Sequence, residues 1–311
     1  MQRRLGAAGC PPAAGAQAGL YCALTETAVR DFQQSRGLRV DGHCDDRTWA
    51  ALVEASWRLG DRLLFLTSPN LRGDDIADLQ ARLGRIGFDC GRVDGILGPR
   101  TARALEDFQG NCGLLADGTC GAETLQAIER VSRQTGDGPG IATVRERERL
   151  RSSSSSLQGL HVVVGHFGGL STLTRAISRD LRVRGAVVIS VDEPDAMAQA
   201  AAANRFGAEL YVGFEARTDG VSRVCYYAVP TFESTGGRSL TERIVSGLCG
   251  VAGVDPQLAG MRLQVLRETR MPAVLTSLGS LRHTIDHANE VAHAVRVAIE
   301  QWAAQPLIPK A

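Results

Sequence analysis

At 311 residues the chain can hold two or three domains, each large enough for a core of its own. Its 35 basic and 34 acidic side chains leave a formal net charge of +1, which gives no electrostatic case for nucleic acid or for an anionic membrane surface. No apolar run approaches the roughly 20 residues that cross a bilayer, so no membrane span is expected.

The first residues place Arg3-Arg4 ahead of an Ala-Gly-Cys10 sequence, as a lipoprotein signal would. The apolar stretch such a signal needs is missing, and Pro11-Pro12 follow at once. The segment aligns instead with a later one: Gln2, Arg4, Leu5, Gly6 and Gly9 match Gln80, Arg82, Leu83, Gly84 and Gly87. The chain is therefore expected to begin inside the first helix of a repeat. A cytoplasmic location is favoured, and export is expected if a hydrophobic signal lies upstream of Met1.

That repeat organises the N-terminal part. Phe32-Gln33, Gly37-Leu38, Asp41-Gly42, Cys44 and Thr48 recur as Phe108-Gln109, Gly113-Leu114, Asp117-Gly118, Cys120 and Thr124, each offset by 76 residues. A fixed offset of this kind reports a duplicated supersecondary unit. In the second copy Ile76, Leu79, Leu83 and Ile86 share one helix face, with Asp74 or Asp75 as the cap. Asp94-Gly95 and Gly98-Pro99 mark turns before a helix that carries Ala104, Leu105 and Phe108 inward. Leu125, Ile128 and Val131 mark a third helix. Two all-α three-helix repeats are expected, at 1–57 and 73–133.

Six of the eight cysteines lie in the first 120 residues. Cys44 and Cys120 occupy equivalent apolar positions, which suits burial as small hydrophobes. Disulfides among Cys10, Cys22, Cys90 and Cys112 are the other reading, and they would imply export. No C-x-x-C pair supports a zinc finger or a thioredoxin-type site.

Residues 134–159 read as a linker. Gly136 to Gly140 is loop-like, Arg145 to Arg151 alternates in charge as a solvated helix or coil would, and Ser152 to Ser156 is a serine run. From 160 to 304 short β-branched runs alternate with helical segments. Strands are expected at His161–Gly165, Ala186–Val191, Glu209–Phe214, Arg223–Val229, Leu263–Arg267 and Ala273–Leu278. Helices are expected near Thr172–Val183, Asp195–Phe206, Ser239–Val251 and Thr284–Trp302. This pattern predicts an α/β domain with a mostly parallel sheet.

Leu79-Gln80, Val93-Asp94-Gly95, Phe108-Gln109, Gly113-Leu114, Asp117-Gly118 and Thr124 resemble the peptidoglycan-binding domain type 1. That resemblance implies peptidoglycan or a muropeptide as the partner. The later part, through His161-Val162-Val163-Val164 ending in Gly168-Gly169, Ala203-Asn204, and Met271-Pro272-Ala273-Val274-Leu275, resembles a zinc-dependent N-acetylmuramoyl-L-alanine amidase of type 3. Such an amidase cuts between the lactyl group of muramic acid and the L-alanine of the stem peptide. It needs zinc on three protein ligands, an open position for water, and a carboxylate as general base.

Aligned on Gly168-Gly169, Phe167 stands at the family's first His, with His166 one residue early. The stretch Gly168–Thr172 carries no acid for the ligand Glu. Glu215 stands at the second His and Ser277 at the catalytic Glu. The resemblance therefore implies an amidase shell with no catalytic residue, no metal ligand set and no cofactor, a pseudoenzyme. Zinc would be the cofactor only if His166 and Glu215 formed part of a rebuilt site. His283, His287 and His293 read as a solvated face or cap rather than as metal ligands, and Asp286 as an exposed turn. Repeats, a charged linker and a degenerate amidase domain together are similar to an actinobacterial family that regulates cell-wall precursor synthesis. That likeness implies a partner such as UDP-N-acetylglucosamine enolpyruvyl transferase. An active amidase with a rearranged zinc site, an autolysin, is the alternative.

Overall fold

The chain divides into two units, Met1–Arg145 with Pro230–Phe232, and Glu146–Val229 with Glu233–Ala311. The structure is a computed structural model, and it describes residues 1–133, 140–153, 156–217, 221–229, 231–279 and 281–307. Part of the expected loop (136–139) and Ser154-Ser155 of the serine run lie outside the described residues. Among the described residues no helix is long and apolar enough to cross a membrane.

The first unit is helical. The first repeat comprises α1 (Gln2–Ala7), α2 (Ala23–Ser35) and α3 (Asp46–Glu54), and the second comprises α4 (Asp74–Arg85), α5 (Pro99–Asn111) and α6 (Ala122–Ser132). Leu5, Val29, Phe32 and Leu52 fill the first core, while Ile76, Leu79, Leu83, Leu105, Phe108 and Ile128 fill the second. Arg36 pairs with Asp74, and Arg62 grips Asp75 at 2.7 Å. Neither aspartate caps α4, whose N-cap is Gly73 without a side-chain bond. Asp75 is instead drawn inward, 1 % exposed, by the Arg62 guanidinium.

A glutamine holds the turns of each repeat twice over, buried at Gln33, Gln80 and Gln109 and half-buried at Gln2. Gln109 donates to Asp117 Oδ1 at 3.0 Å, Thr119 O at 2.9 Å and Thr124 Oγ1 at 3.1 Å, and accepts from Gly118 N at 2.9 Å. Gln33 serves Asp41, His43 O, Thr48 and Gly42 in the same way. Gln80 serves Asp94, Ile96 O, Thr101 and Gly95. Gln2 completes the set through Leu20 O, Thr25 Oγ1 and Gly19 N, with Gln17 O where the others use an aspartate. Each amide satisfies turn groups that would otherwise be buried unpaired. The Thr119 N–H and the Gln109 amide hold the Asp117 carboxyl below its ordinary range.

All eight cysteines are free thiols. Cys90 and Cys120 are buried, and desolvation pushes their thiols up to about 12 and about 11. Cys44, at the position equivalent to Cys120, is only partly buried.

In the second unit, α7 (Ile141–Ser152) precedes β1 (His161–His166), α8 (Ser171–Val183), β2 (Val187–Asp192), α9 (Ala196–Phe206), β3 (Leu210–Ala216), β4 (Arg223–Val229) and β5 (Phe232–Glu233). There follow α10 (Thr235–Leu248), β6 (Gln257–Met261), α11 (Gln264–Glu268), β7 (Ala273–Leu278), α12 (Leu281–Asp286) and α13 (Ala288–Ala304). The sheet runs β2-β1-β3-β7-β4-β5, with β6 pairing β4. β2, β1, β3 and β7 are mutually parallel, and β4 is antiparallel to β7. α8, α10 and α13 bury one face through Leu173, Ile177, Leu240, Ile244, Val295 and Ile299. α9 lies on the other face, where Gln199 meets Tyr211.

Three elements depart from expectation. Leu263–Arg267 is not a strand: Gln264–Glu268 is a short helix, and the missing strand is Gln257–Met261. A brief apolar run suits either state, and Gln-Leu-Ala-Gly-Met has no β-branched residue to mark it. The α10 helix starts earlier than expected because Ser234 caps it, accepting from Gly237 N at 3.2 Å. The last helix is broken at His287.

The charged stretch is also more than a solvated helix. Glu148 and Arg151 do pair at 3.6 Å, but Glu146 accepts from Ser234 Oγ at 2.6 Å, Thr235 N at 3.0 Å and Gly236 N at 3.2 Å. Its carboxylate thus satisfies the positive end of α10. Leu150 is buried beside it, and a Cβ on Gly236 would meet Leu150 Cδ1 at 2.9 Å, so a larger residue there would displace the leucine.

Two outcomes follow from this packing. Gln109→Ala strips partners from a buried turn and is expected to lower stability by about 1–3 kcal/mol in urea denaturation, whereas the exposed Gln34→Ala leaves the midpoint unchanged. Iodoacetamide at pH 8 is expected to label the exposed Cys112 and Cys249 in the native protein, and Cys90 and Cys120 only after unfolding. A disulfide detected by mass spectrometry contradicts the second expectation.

Candidate functional site

Strand pleating decides what can meet at the carboxyl ends of β1, β3 and β7. Side chains alternate between the two faces, and residues paired in register share a face. Glu215 pairs with Ser277 in register, and Ser277 pairs with Arg223 across the antiparallel neighbour. Carboxylate, hydroxyl and guanidinium residues therefore stand in one row across β3, β7 and β4.

Within that row Ser277 Oγ donates to Glu215 Oε1 in a short hydrogen bond. Both residues are buried, at 4 % and 6 % exposure. Phe167 follows β1 in a bend, its N–H donating to Phe214 O at 3.0 Å, and its side chain offers a hydrocarbon ring and no donor atom.

His166 takes the opposite side. It pairs in register with Phe214, which lies in the α8/α10/α13 core. Its ring is 3 % exposed, with Nδ1 at 3.4 Å from Asp192 and accepting from Gly168 N at 3.2 Å. The adjacent strand confirms the side, because Ser190, two residues before Asp192, reaches Ser178 of α8 at 2.8 Å. His166 and Glu215 are thus separated by the sheet.

Beneath the row lies a further buried polar group. Tyr211 OH donates to Gln199 Oε1 at 2.6 Å, and Gln199 Nε2 donates to His166 O at 2.9 Å and Glu193 O at 2.6 Å. Gly165 and Gly213 stand side by side above it, and a Cβ on either would come within 3.0 Å of the Tyr211 hydroxyl. Burial, and then the Glu215 charge, raises the Tyr211 pKa above its ordinary value.

These donors do not fit the zinc ion that an amidase would use. A site needs three side chains converging on one point. Here one carboxylate is already bonded to a serine, the neighbouring position is Phe167, and the imidazole lies across the sheet. Among the described residues no three His, Cys, Asp or Glu side chains are placed to hold a metal. His283 and His287 stack at 4.3 Å, with His283 Nε2 bonded to Ala252 O at 2.9 Å and His287 Nδ1 to His283 O at 3.1 Å. His293 stands apart, beside Arg296 at 3.2 Å, and Asp286 is exposed.

Known proteins place this architecture. The peptidoglycan binding domain family matches residues 1–52 and 72–128. N-acetylmuramoyl-L-alanine amidase CwlM of Mycobacterium tuberculosis is 34 % identical over 315 residues, which cover 91 % of this chain and 77 % of that protein. The chain belongs to the CwlM family. It joins peptidoglycan-binding repeats to an amidase-like fold. N-acetylmuramoyl-L-alanine amidase CwlL of Bacillus licheniformis is 33 % identical over 150 residues, 42 % of this chain and 41 % of its own length. Among solved structures, the amidase Ami1 of Mycobacterium smegmatis aligns with 48 % of this chain and 98 % of its own, at 13 % identity and a TM-score of 0.40.

Of the positions singled out in the sequence, Phe167, His166, Glu215 and Ser277, the structure brings Glu215 and Ser277 together. Arg223, Gln199 and Tyr211 were missed. Gly165 and Gly213 were the available signal for the last two, since a glycine inside a strand marks a close approach. A double-mutant cycle over Ser277→Ala and Glu215→Gln is expected to give a coupling of about 1–3 kcal/mol in urea denaturation. Additive losses contradict the bond.

Proposed function

We propose that this protein is a non-catalytic recognition and regulatory protein of peptidoglycan metabolism. Its repeats bind peptidoglycan or a muropeptide, and its amidase-like unit serves as a scaffold for protein contacts. One observation carries the reading: the side of the sheet where an amidase needs a water-activating base presents a carboxylate and a serine bonded to each other. A serine takes no proton at neutral pH, and loss of a general base alone costs about 10²–10⁴ in rate. With Phe167 at the end of β1 and His166 across the sheet, the remaining groups give a metal no common point of attachment.

Membership of the CwlM family and the peptidoglycan-binding repeats support a setting in cell-wall synthesis. UDP-N-acetylglucosamine enolpyruvyl transferase is our proposed partner, as a regulated cell-wall precursor enzyme. The proposed domain limits are 1–57 and 73–133 for the repeats, 134–159 for the linker and 160–304 for the amidase-like domain.

A second reading, a zinc amidase with a rearranged site, is favoured by the contact of the buried His166 with the exposed Asp192 at 3.4 Å and by the activity that names its mycobacterial relative. Elemental analysis of the purified chain and a muropeptide digest separate the two. We expect substoichiometric zinc and no release of stem peptide, with binding to sacculi retained. One zinc per chain together with stem-peptide release that His166→Ala/Glu215→Ala abolishes establishes the second reading instead.

A further inference from the structure

At the end of the sheet opposite Glu215 and Ser277, the second unit contains a cavity of about 260 Å³. It lies at the first residues of β1, β3 and β7, where Leu160, Glu209 and Pro272 lead into the strands. α7 and α13 contribute its remaining walls. Leu150, Leu160, Met271 and Pro272 give it an apolar interior, with Trp302 behind. The Trp302 Nε1–H already donates to Gly236 O at 3.0 Å, so the indole leaves the cavity no polar atom to satisfy.

The rim is cationic. Arg149 of α7 and Arg270, three residues before β7, both line it and both are exposed. Among the described residues no ion pair engages either guanidinium. Arg270 is nonetheless held in place: its N–H donates to Asn204 Oδ1 at 3.0 Å, and Asn204 Nδ2 donates to Glu268 O at 2.9 Å. Glu209, the one acid on the lining, has a carboxylate oxygen committed to the His161 N–H at 3.1 Å.

An apolar pocket whose mouth carries two guanidiniums with no ion pair among the described residues complements a molecule with a water-excluded tail and an anionic head. Guanidinium forks match carboxylate and phosphate oxygens alike. We propose that this cavity binds a short-chain amphiphilic anion, its tail against Leu150, Met271 and Trp302 and its head between Arg149 and Arg270. The volume falls just under the roughly 300–1,000 Å³ of drug-sized ligand sites, which fits a short chain and excludes a whole lipid. The site is remote from the end of the sheet where an amidase does its chemistry.

Octanoate and octyl phosphate, titrated below micelle formation into the full chain by calorimetry, are the probes, with octyl glucoside as an uncharged control of equal tail. At least one anion is expected to bind at one site per chain, at least tenfold more tightly than the glucoside. Preference between the two anions then identifies the head group. Arg149→Gln/Arg270→Gln, which removes only exposed and unpaired charges, is expected to weaken that binding at least tenfold at unchanged Tm. Leu150→Ala serves as a second variant that alters the wall and not the rim, and it too should weaken binding. Failure of both anions to bind overturns the proposal. So does equal binding of the glucoside, or undiminished binding by the arginine variant.

Discussion

Parallel, in-register pairing of β1, β3 and β7 fixes which side of the sheet each residue serves, because side chains alternate with a period of two. In an amidase that constraint gathers ligands and base on one side. Here the same constraint gathers Glu215, Ser277 and Arg223, and it sends His166 to the side of α8. The imidazole at 166, the last residue of β1, shares the face of Phe214, opposite to Glu215. The misfit of these residues to a zinc ion is therefore geometric as well as chemical. Replacing Phe167 by a donor leaves Glu215 engaged with Ser277, and keeping His166 leaves its imidazole on the wrong side.

The bonds that these positions make instead are internal to the fold. A buried carboxylate is costly unless it is bonded, and the Ser277 hydroxyl supplies such a bond. Tyr211 and Gln199 occupy the space that Gly165 and Gly213 leave below, and they tie β1, β3 and α9 into one polar network. The network is satisfied internally, as a structural core requires. The helical unit uses the same economy in another form, with four glutamines each bonding the turn that follows their helix.

Much of this was legible in the sequence. The 76-residue offset exposed the repeats because core Phe and Leu positions and turn glycines keep their spacing. It did not reveal that each repeat is itself built from two glutamine-clamped turns. In the first of these Ala18-Gly19 replaces Asp-Gly, and only the contact of Gln2 with Gly19 and Thr25 shows the equivalence. Alignment located Phe167, Glu215 and Ser277, but which side His166 takes depends on strand register, a long-range property. The exchange of strand for helix at 257–268 has a local cause: apolar runs that short do not distinguish the two states. Glu146 looked like one charge among many, and its role depends on α10, 89 residues away at Thr235.

The central claim is that Glu215 belongs to a hydroxyl-bonded pair on a face where no three described side chains converge to hold a metal, while His166 lies across the sheet. Diffraction at the zinc absorption edge, from crystals of the full chain grown in excess zinc, tests this most directly. No anomalous peak is expected within coordination distance of Glu215, and the Ser277 Oγ–Glu215 bond should remain intact. A zinc ion held jointly by Glu215 and His166, with that bond broken, contradicts it.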